Sequence, residues 1–245
     1  MLFILMDMRS ALRTLDRGTL RDITLVCLAD ALVGASFGAI AVSGGLPPWV
    51  PVAMSLLVFA GGSQFAAVGV VLAGGGPVAA VVTGLVLNAR LLPFGFAVGD
   101  VLGGRWRDRL LGSHLLTDES TAFTLLQRDP AARRAAYWTS GAALFAFWNI
   151  AVLLGTLAGG AIGDTDALGL DAAFPAVLLA LVLPSLGDRS VRNPALVGAV
   201  LAVGATPFLP AGLSVLCALA ALLPAVRSAL RAAPARSVAT AGEAR

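Results

Sequence analysis

Apolar stretches recur seven times between residues 23 and 226, and that repetition restricts the chain to one kind of fold. They run over 23–43, 50–72, 78–98, 137–157, 172–186, 195–208 and 213–226. A helix of about 20 apolar residues spans the ~30 Å hydrocarbon layer, where every backbone polar group must be satisfied within the protein. Hydrophobic residues make up 58% of the chain and charged ones 13%, against the roughly 25% charged of an average soluble domain. Mean hydropathy is +0.89. The expected fold class is therefore all-α: a polytopic integral membrane protein of six to seven transmembrane helices. The last three stretches are short for a straight span, so they extend into their flanks or are broken helices packed inside the protein.

All 17 basic residues are arginine. Their pattern organises the chain into a cytoplasmic, amphipathic N-terminal segment over 1–22, one transmembrane domain over 23–226, and a cytoplasmic, disordered tail over 227–245. Arg9, Arg13, Arg17 and Arg21 recur at fourfold spacing, which predicts a surface helix over 8–22 lying on an anionic leaflet. The apolar start, Met1 to Met6, is too short and too soon followed by Asp7 to read as a cleaved signal. A pI near 9.6 is what cytoplasmic Arg-rich loops produce. Without aromatic residues interleaved among the arginines it does not indicate nucleic acid. Cys27 and Cys217 both lie in apolar stretches and read as buried thiols, with no disulfide or metal pair expected.

The arginines also expose a conflict. By the positive-inside rule the N-terminus, the loop 99–136, residues 188–193 and the tail are all cytoplasmic. Three full crossings by the first three stretches would put the 99–136 loop on the side opposite the N-terminus. Gly61-Gly62 and Gly74-Gly75-Gly76-Pro77 interrupt this region. Either the N-terminus is external or one of the three stretches re-enters; a broken or re-entrant element in the first half is the expected solution, since non-helical backbone at depth survives where it is buried or lines a wet cavity. Such interrupted segments point to a transporter site.

Arg90 lies midway along 78–98, two residues after Asn88. A guanidinium cannot escape by neutralising, and at a helix centre it costs roughly 2.5–3.5 kcal/mol on insertion scales. Asp30 is the other ionisable residue deep in an apolar stretch. The two form either a structural ion pair or the poles of a site for a zwitterion, with Asp30 also able to exchange a proton. Gly61, Gly62, Ser63 and Gln64 combine backbone freedom with side-chain donors and acceptors, suited equally to a substrate's amino-acid backbone and to close helix contact. Gly34-Ala35-Ser36-Phe37-Gly38 has the spacing of a hydrolase nucleophile elbow. It lies in an apolar helical run without a nearby histidine, so it reads instead as a small-xxx-small contact. The sole histidine, His114, precedes Asp118 and Glu119; it reads as a solvated or capping group ahead of a metal ligand. No phosphate-binding loop with its lysine is present, so ATP hydrolysis is not expected. No enzymatic activity, cofactor or metal is expected.

These residues resemble the AzlC family, the large subunit of bacterial branched-chain amino-acid exporters. The resemblance rests on Gly34-x-x-Phe37-Gly38-x-x-Ala41, on the run from Ser55 through Phe59-Ala60-Gly61-Gly62-Ser63-Gln64-Phe65 to Ala66, on Asn88-Ala89-Arg90, and on His114-Leu115-Leu116-Thr117-Asp118-Glu119. Trp148, Gly155 with Gly159, and Gly169-Leu170-Asp171-Ala172-Ala173-Phe174-Pro175 extend it, so it covers about residues 20 to 226. Where many members continue after the arginine towards Tyr-Gly, this chain reads Leu91-Leu92-Pro93-Phe94-Gly95. Pro93 removes a backbone donor one turn past Arg90 and kinks the helix.

The resemblance implies export of leucine, isoleucine, valine and methionine across the bacterial inner membrane, driven by the membrane potential or an ion gradient. It also implies a small four-helix AzlD-type membrane partner. The substrate-site residues expected are Asp30, Ser36, Phe37, Gly61, Gly62, Ser63, Gln64, Asn88 and Arg90. Arg90 with Asn88 would hold the carboxylate, and Asp30 the amine or a proton. Phe37, Phe59 and Phe65 would support the side chain. A non-transporting scaffold subunit or a channel is the alternative.

Overall fold

The computed structural model describes residues 14–161, 179, 183–209 and 217–224. The chain divides into two compact units, Met1–Leu181 and Val182–Arg245, each treated by itself. The described residues are helical, with no strand among them. The N-terminal residues 1–13, most of the stretch 172–186, the motif from Gly169 to Pro175 and the tail lie outside the described residues.

In the first unit the helices are α1 Arg17–Ser43, α2 Trp49–Leu57, α3 Gly61–Leu72, α4 Pro77–Asn88, α5 Leu91–Val98, α6 Trp106–His114, α7 Asp118–Leu126 and α8 Pro130–Ala161. Three segments, Arg17–Ser43, Pro77–Val101 and Pro130–Gly160, are long and apolar enough to cross a membrane. The expected surface helix ending at residue 22 is corrected where it can be seen. Asp16 caps α1 by accepting from the Thr19 N–H at 2.8 Å. Arg17 and Arg21 thus form the opening turns of the first long helix rather than a separate one. Hydrogen bonding from Thr19 holds the Asp16 carboxyl below its ordinary value.

The core of this unit is the seam between α1 and α8, and small residues on both helices make it. A Cβ on Gly34 would lie 3.2 Å from the Trp148 carbonyl oxygen, and one on Gly159 would lie 2.8 Å from that of Ala39. A Cβ on Gly38 or Gly155 would collide with the backbone oxygens of Val152 and Ala35. Close backbone approach of this kind drives helix association where solvent hydrophobicity cannot. The pairs advance together, 34 with 148 and 39 with 159, so α1 and α8 run parallel. Their N-terminal ends share one side of the unit.

Between these helices the second apolar stretch does not run through. It breaks at residues 58–60, where Phe59 takes φ 41°, the only positive φ of a non-glycine residue among those described. Glycine neighbours set the site of the break, but they are used as the first turn of α3. With 9 and 12 residues, α2 and α3 are about 14 and 18 Å long, short of the hydrocarbon thickness. The chain leaves the Gly44 end of α1 along α2 and returns along α3 to the same end, where Leu72 packs against Gly44.

A turn with Gly74 at φ 81° then leads into α4, which is opened by Pro77 in its first turn. The path continues through α5 to the far end. There the Val101 carbonyl accepts from Arg134 Nη1 at 2.7 Å and Trp138 Nε1 at 3.3 Å, and Arg133 pairs with Asp100 at 3.3 Å. The 99–101 turn and the start of α8 therefore share the side occupied by Arg17 and Arg21. The doubling back of α2 and α3, followed by the run of α4 and α5, brings these arginine-bearing ends to one side of the unit.

In the second unit, α9 Arg189–Ala205 carries Pro194 and packs with the 3-10 turns Leu183–Gly187 and Ala218–Leu222. Helix begins at Arg189, so most of the Arg-bearing connection at 188–193 is its first turn rather than loop. Both cysteines are free; Cys27 is buried and Cys217 half-buried.

Candidate functional site

Two interrupted helices meet at their interruptions. The first break is at residues 58–60. The second is a tightened turn at Ala89 and Arg90, between α4 and α5, where both residues keep helical backbone angles and only the hydrogen bonding changes. Its cause is Pro93, which has no N–H to give to the carbonyl four residues back. That carbonyl belongs to Ala89, and it accepts instead from the Leu92 N–H at 3.1 Å, a tighter turn. Because α3 and α4 lie antiparallel, the start of one meets the end of the other. Ser63 Oγ donates to Asn88 Oδ1 at 2.5 Å. A Cβ on Gly62 would lie 3.8 Å from Arg90 Nη2. The guanidinium thus stands beside the first turn of α3, whose opening N–H groups have no intrahelical partner.

Gln64 is wholly buried on that turn. Its Oε1 accepts from the Ala60 N–H at 3.1 Å, while its Nε2 has no hydrogen-bond partner. Behind it, Gly61 lies against the Trp148 ring. Phe37 packs edge-on to Phe65 at 5.2 Å and over Trp148 at 6.4 Å. Phe59 meets Phe145 at 5.0 Å. Ser55 Oγ donates to Asn149 Oδ1 at 2.7 Å, fixing α2 to α8.

The connection 99–136 contains α6 and α7 and the start of α8, and its middle folds back onto both breaks. His114, the last residue of α6, places Nε2 2.9 Å from the Leu56 carbonyl oxygen at the end of α2. A carbonyl only accepts, so Nε2 carries the proton. Here His114 caps, as its sequence context suggested. Thr117 caps α7 through a capping box with Ser120. Asp118 follows at the first helical position, and its Oδ2 lies 2.9 Å from Arg90 Nη1.

The pairing of Arg90 with Asp30 considered from sequence is thereby corrected. Arg90 takes Asp118, because the loop reaches its break from the arginine-rich end. Asp30 forms no ion pair among the described residues. It sits half-buried on α1. The other expected site residues divide. Asn88, Arg90, Ser63, Gly62 and Gln64 converge on the start of α3, with Gly61 and Phe37 against the Trp148 side of it. Ser36 joins none of these contacts; its hydroxyl donates to the Leu32 carbonyl at 2.9 Å within α1.

Sequence reasoning did not assign Asp118 a role at this site, nor Asn149. Thr117-x-x-Ser120 was a legible helix start for α7, but nothing local says which cation the helix end will face. Among the described residues no group of three His, Cys, Asp or Glu side chains is placed to hold a metal.

Comparison with known proteins places these features in context. The family model described as AzlC protein matches residues 26–162, a span that contains both breaks, Asp118 and the α1/α8 seam. A Helicobacter pylori (strain ATCC 700392 / 26695) relative described as an uncharacterized membrane protein is 26% identical over 181 residues. That alignment covers 73% of this chain and 78% of the relative. No solved structure matches the chain.

Proposed function

Because this chain belongs to the AzlC family of membrane proteins, we propose that it is a secondary transporter exporting the branched-chain amino acids leucine, isoleucine and valine, and methionine beside them, across the bacterial inner membrane. The observation that carries this reading is the meeting of two interrupted helices at Ser63 with Asn88 and at Gly62 with Arg90. A helix start at a break, set against polar side chains of a neighbouring helix, is how membrane transporters offer polarity to a zwitterion at depth. In this reading Arg90 and the N-terminal turn of α3 take the carboxylate, assisted by Asn88. The ammonium faces Asp30, and the aliphatic side chain rests on Phe37, Phe59 and Phe65. Six to seven crossings with the arginine-rich ends in the cytoplasm, and a small four-helix membrane subunit as partner, complete the proposal.

A second reading has its own support. The Arg90/Asp118 ion pair is what a structural subunit would use to seat its loop. Dipeptide-fed efflux of leucine from cells carrying Arg90→Ala separates the two. The transporter reading expects normal membrane abundance with efflux lost. Efflux at the wild-type rate from a normally inserted variant would remove Arg90 from the carboxylate site. Loss of the protein from the membrane would favour the structural role.

A further inference from the structure

We propose that Asp118 is a resident carboxylate on Arg90 that the substrate's own carboxylate displaces, with the free Nε2 of Gln64 supplying the second arm of the subsite. The inference rests on the transporter reading and specifies how its carboxylate site is held before substrate arrives.

Three observations converge. Arg90 presents two nitrogens: Nη1 holds Asp118 at 2.9 Å, and Nη2 lies beside Gly62 at the start of α3. A guanidinium fork suits a carboxylate bidentately, and Nη1 is the nitrogen that approaches Asp118 at 2.9 Å. Gln64 is wholly buried, and its Oε1 contact with Ala60 N fixes the amide head at the same helix start. Its Nε2 donor is unpartnered there. A buried donor without a partner costs the protein about 1–3 kcal/mol, a cost relieved when an acceptor arrives. The α3 N-terminus adds a positive dipole end to the same place.

Asp118 is also built to leave. Neither side chain of the pair is enclosed by the protein, with 54% and 39% exposed, so a second carboxylate has room to approach the guanidinium. Asp118 is the first residue of α7, held beyond its side chain by the Thr117/Ser120 capping box. Releasing Arg90 therefore loosens the first turn of α7 while the rest of the helix stays formed. On the other break, His114 stays on the Leu56 carbonyl. Exchange of one carboxylate for another conserves charge at Arg90, so the site need not be emptied for ligand to enter.

The test uses the purified full chain in nanodiscs with three probes: L-leucine, acetate as a bare carboxylate, and leucinol, which lacks the carboxylate. Calorimetric titration should show Asp118→Asn binding leucine about tenfold tighter than wild type, as expected if the resident pair leaves about a tenth of the sites open. Gln64→Met should bind leucine several-fold more weakly, and leucinol should bind neither variant nor wild type. Hydrogen exchange on the wild type provides a measurement independent of whether the variants fold: saturating leucine should deprotect the first turn of α7 and protect residues 61–64.

If leucine binds but Asp118→Asn is no tighter and α7 exchange is unchanged, the displacement is wrong while the transporter reading stands. If leucinol binds as well as leucine, the carboxylate assignment to Arg90 falls as well. If neither leucine nor acetate binds wild type or Asp118→Asn, the proposal and the reading beneath it fail together.

Discussion

Arg90 on the break between α4 and α5 holds Asp118 at the first turn of α7, with 2.9 Å between Nη1 and Oδ2. The arginine of the third apolar stretch thus finds its counter-charge in a connection that folds back onto the helix breaks.

The charge on the pair sets a first prediction. Lysine offers Asp118 the same charge, so Arg90→Lys should leave abundance and melting temperature near wild type. Lysine keeps the charge but not the fork, so leucine efflux should fall at least tenfold. Equal efflux would show that the planar geometry is not used.

Packing of α1 on α8 gives a second. Alanine is favoured over glycine in a helix by up to about 1 kcal/mol, but a Cβ at Gly155 collides with the Ala35 carbonyl. Overpacking costs typically about 1–3 kcal/mol, so the collision outweighs the propensity gain. Gly155→Ala should lower the melting temperature. The control is Gly160→Ala, whose Cβ would meet Val42 Cγ1 at an ordinary 4.0 Å, and it should be neutral or stabilising.

Phe59 sets two effects against each other. A left-handed backbone costs a non-glycine residue about 1–2 kcal/mol, which Phe59→Gly would relieve. Losing a buried phenylalanine costs about 3–5 kcal/mol, and Phe59 is 5% exposed against Phe145 and His114. Packing wins, so both Phe59→Gly and Phe59→Ala should destabilise. The glycine variant should be the milder by roughly 1 kcal/mol in thermal denaturation.

At the start of α1 the sign with pH is fixed by the lowered Asp16 carboxyl. A group whose folded value lies below its unfolded one contributes stability above the unfolded value. That contribution fades as pH falls through the folded one. Hydrogen exchange at residues 17–20 should therefore be faster in Asp16→Ala than in wild type at neutral pH. The difference should shrink in strong acid; a constant difference would mean that the charge contributes nothing.

Much was legible in the sequence because the signals were local. Apolar runs gave the helices, the Gly34/Gly38 spacing gave a helix contact in place of a hydrolase turn, and Pro93 gave the interruption that surfaces at Ala89 and Arg90. The glycine pair at 61 and 62 marked the first break to within three residues. The exact break falls earlier because glycine can begin a helix, and the strain passes to Phe59, which its aromatic neighbours hold in place.

Tertiary structure alone decided two things. Hydropathy makes the 50–72 stretch look like a complete span, since doubling back at depth and crossing bury the same apolar residues. The contact of Leu72 with Gly44 distinguishes them, and with it the parallel run of α1 and α8 brings the arginines to one side. Charge pairing was equally beyond the sequence. Asp30, Asp118 and Glu119 all carry the sign Arg90 requires, and an electrostatic partner is chosen by distance, which here depends on the fold-back of α6 and α7.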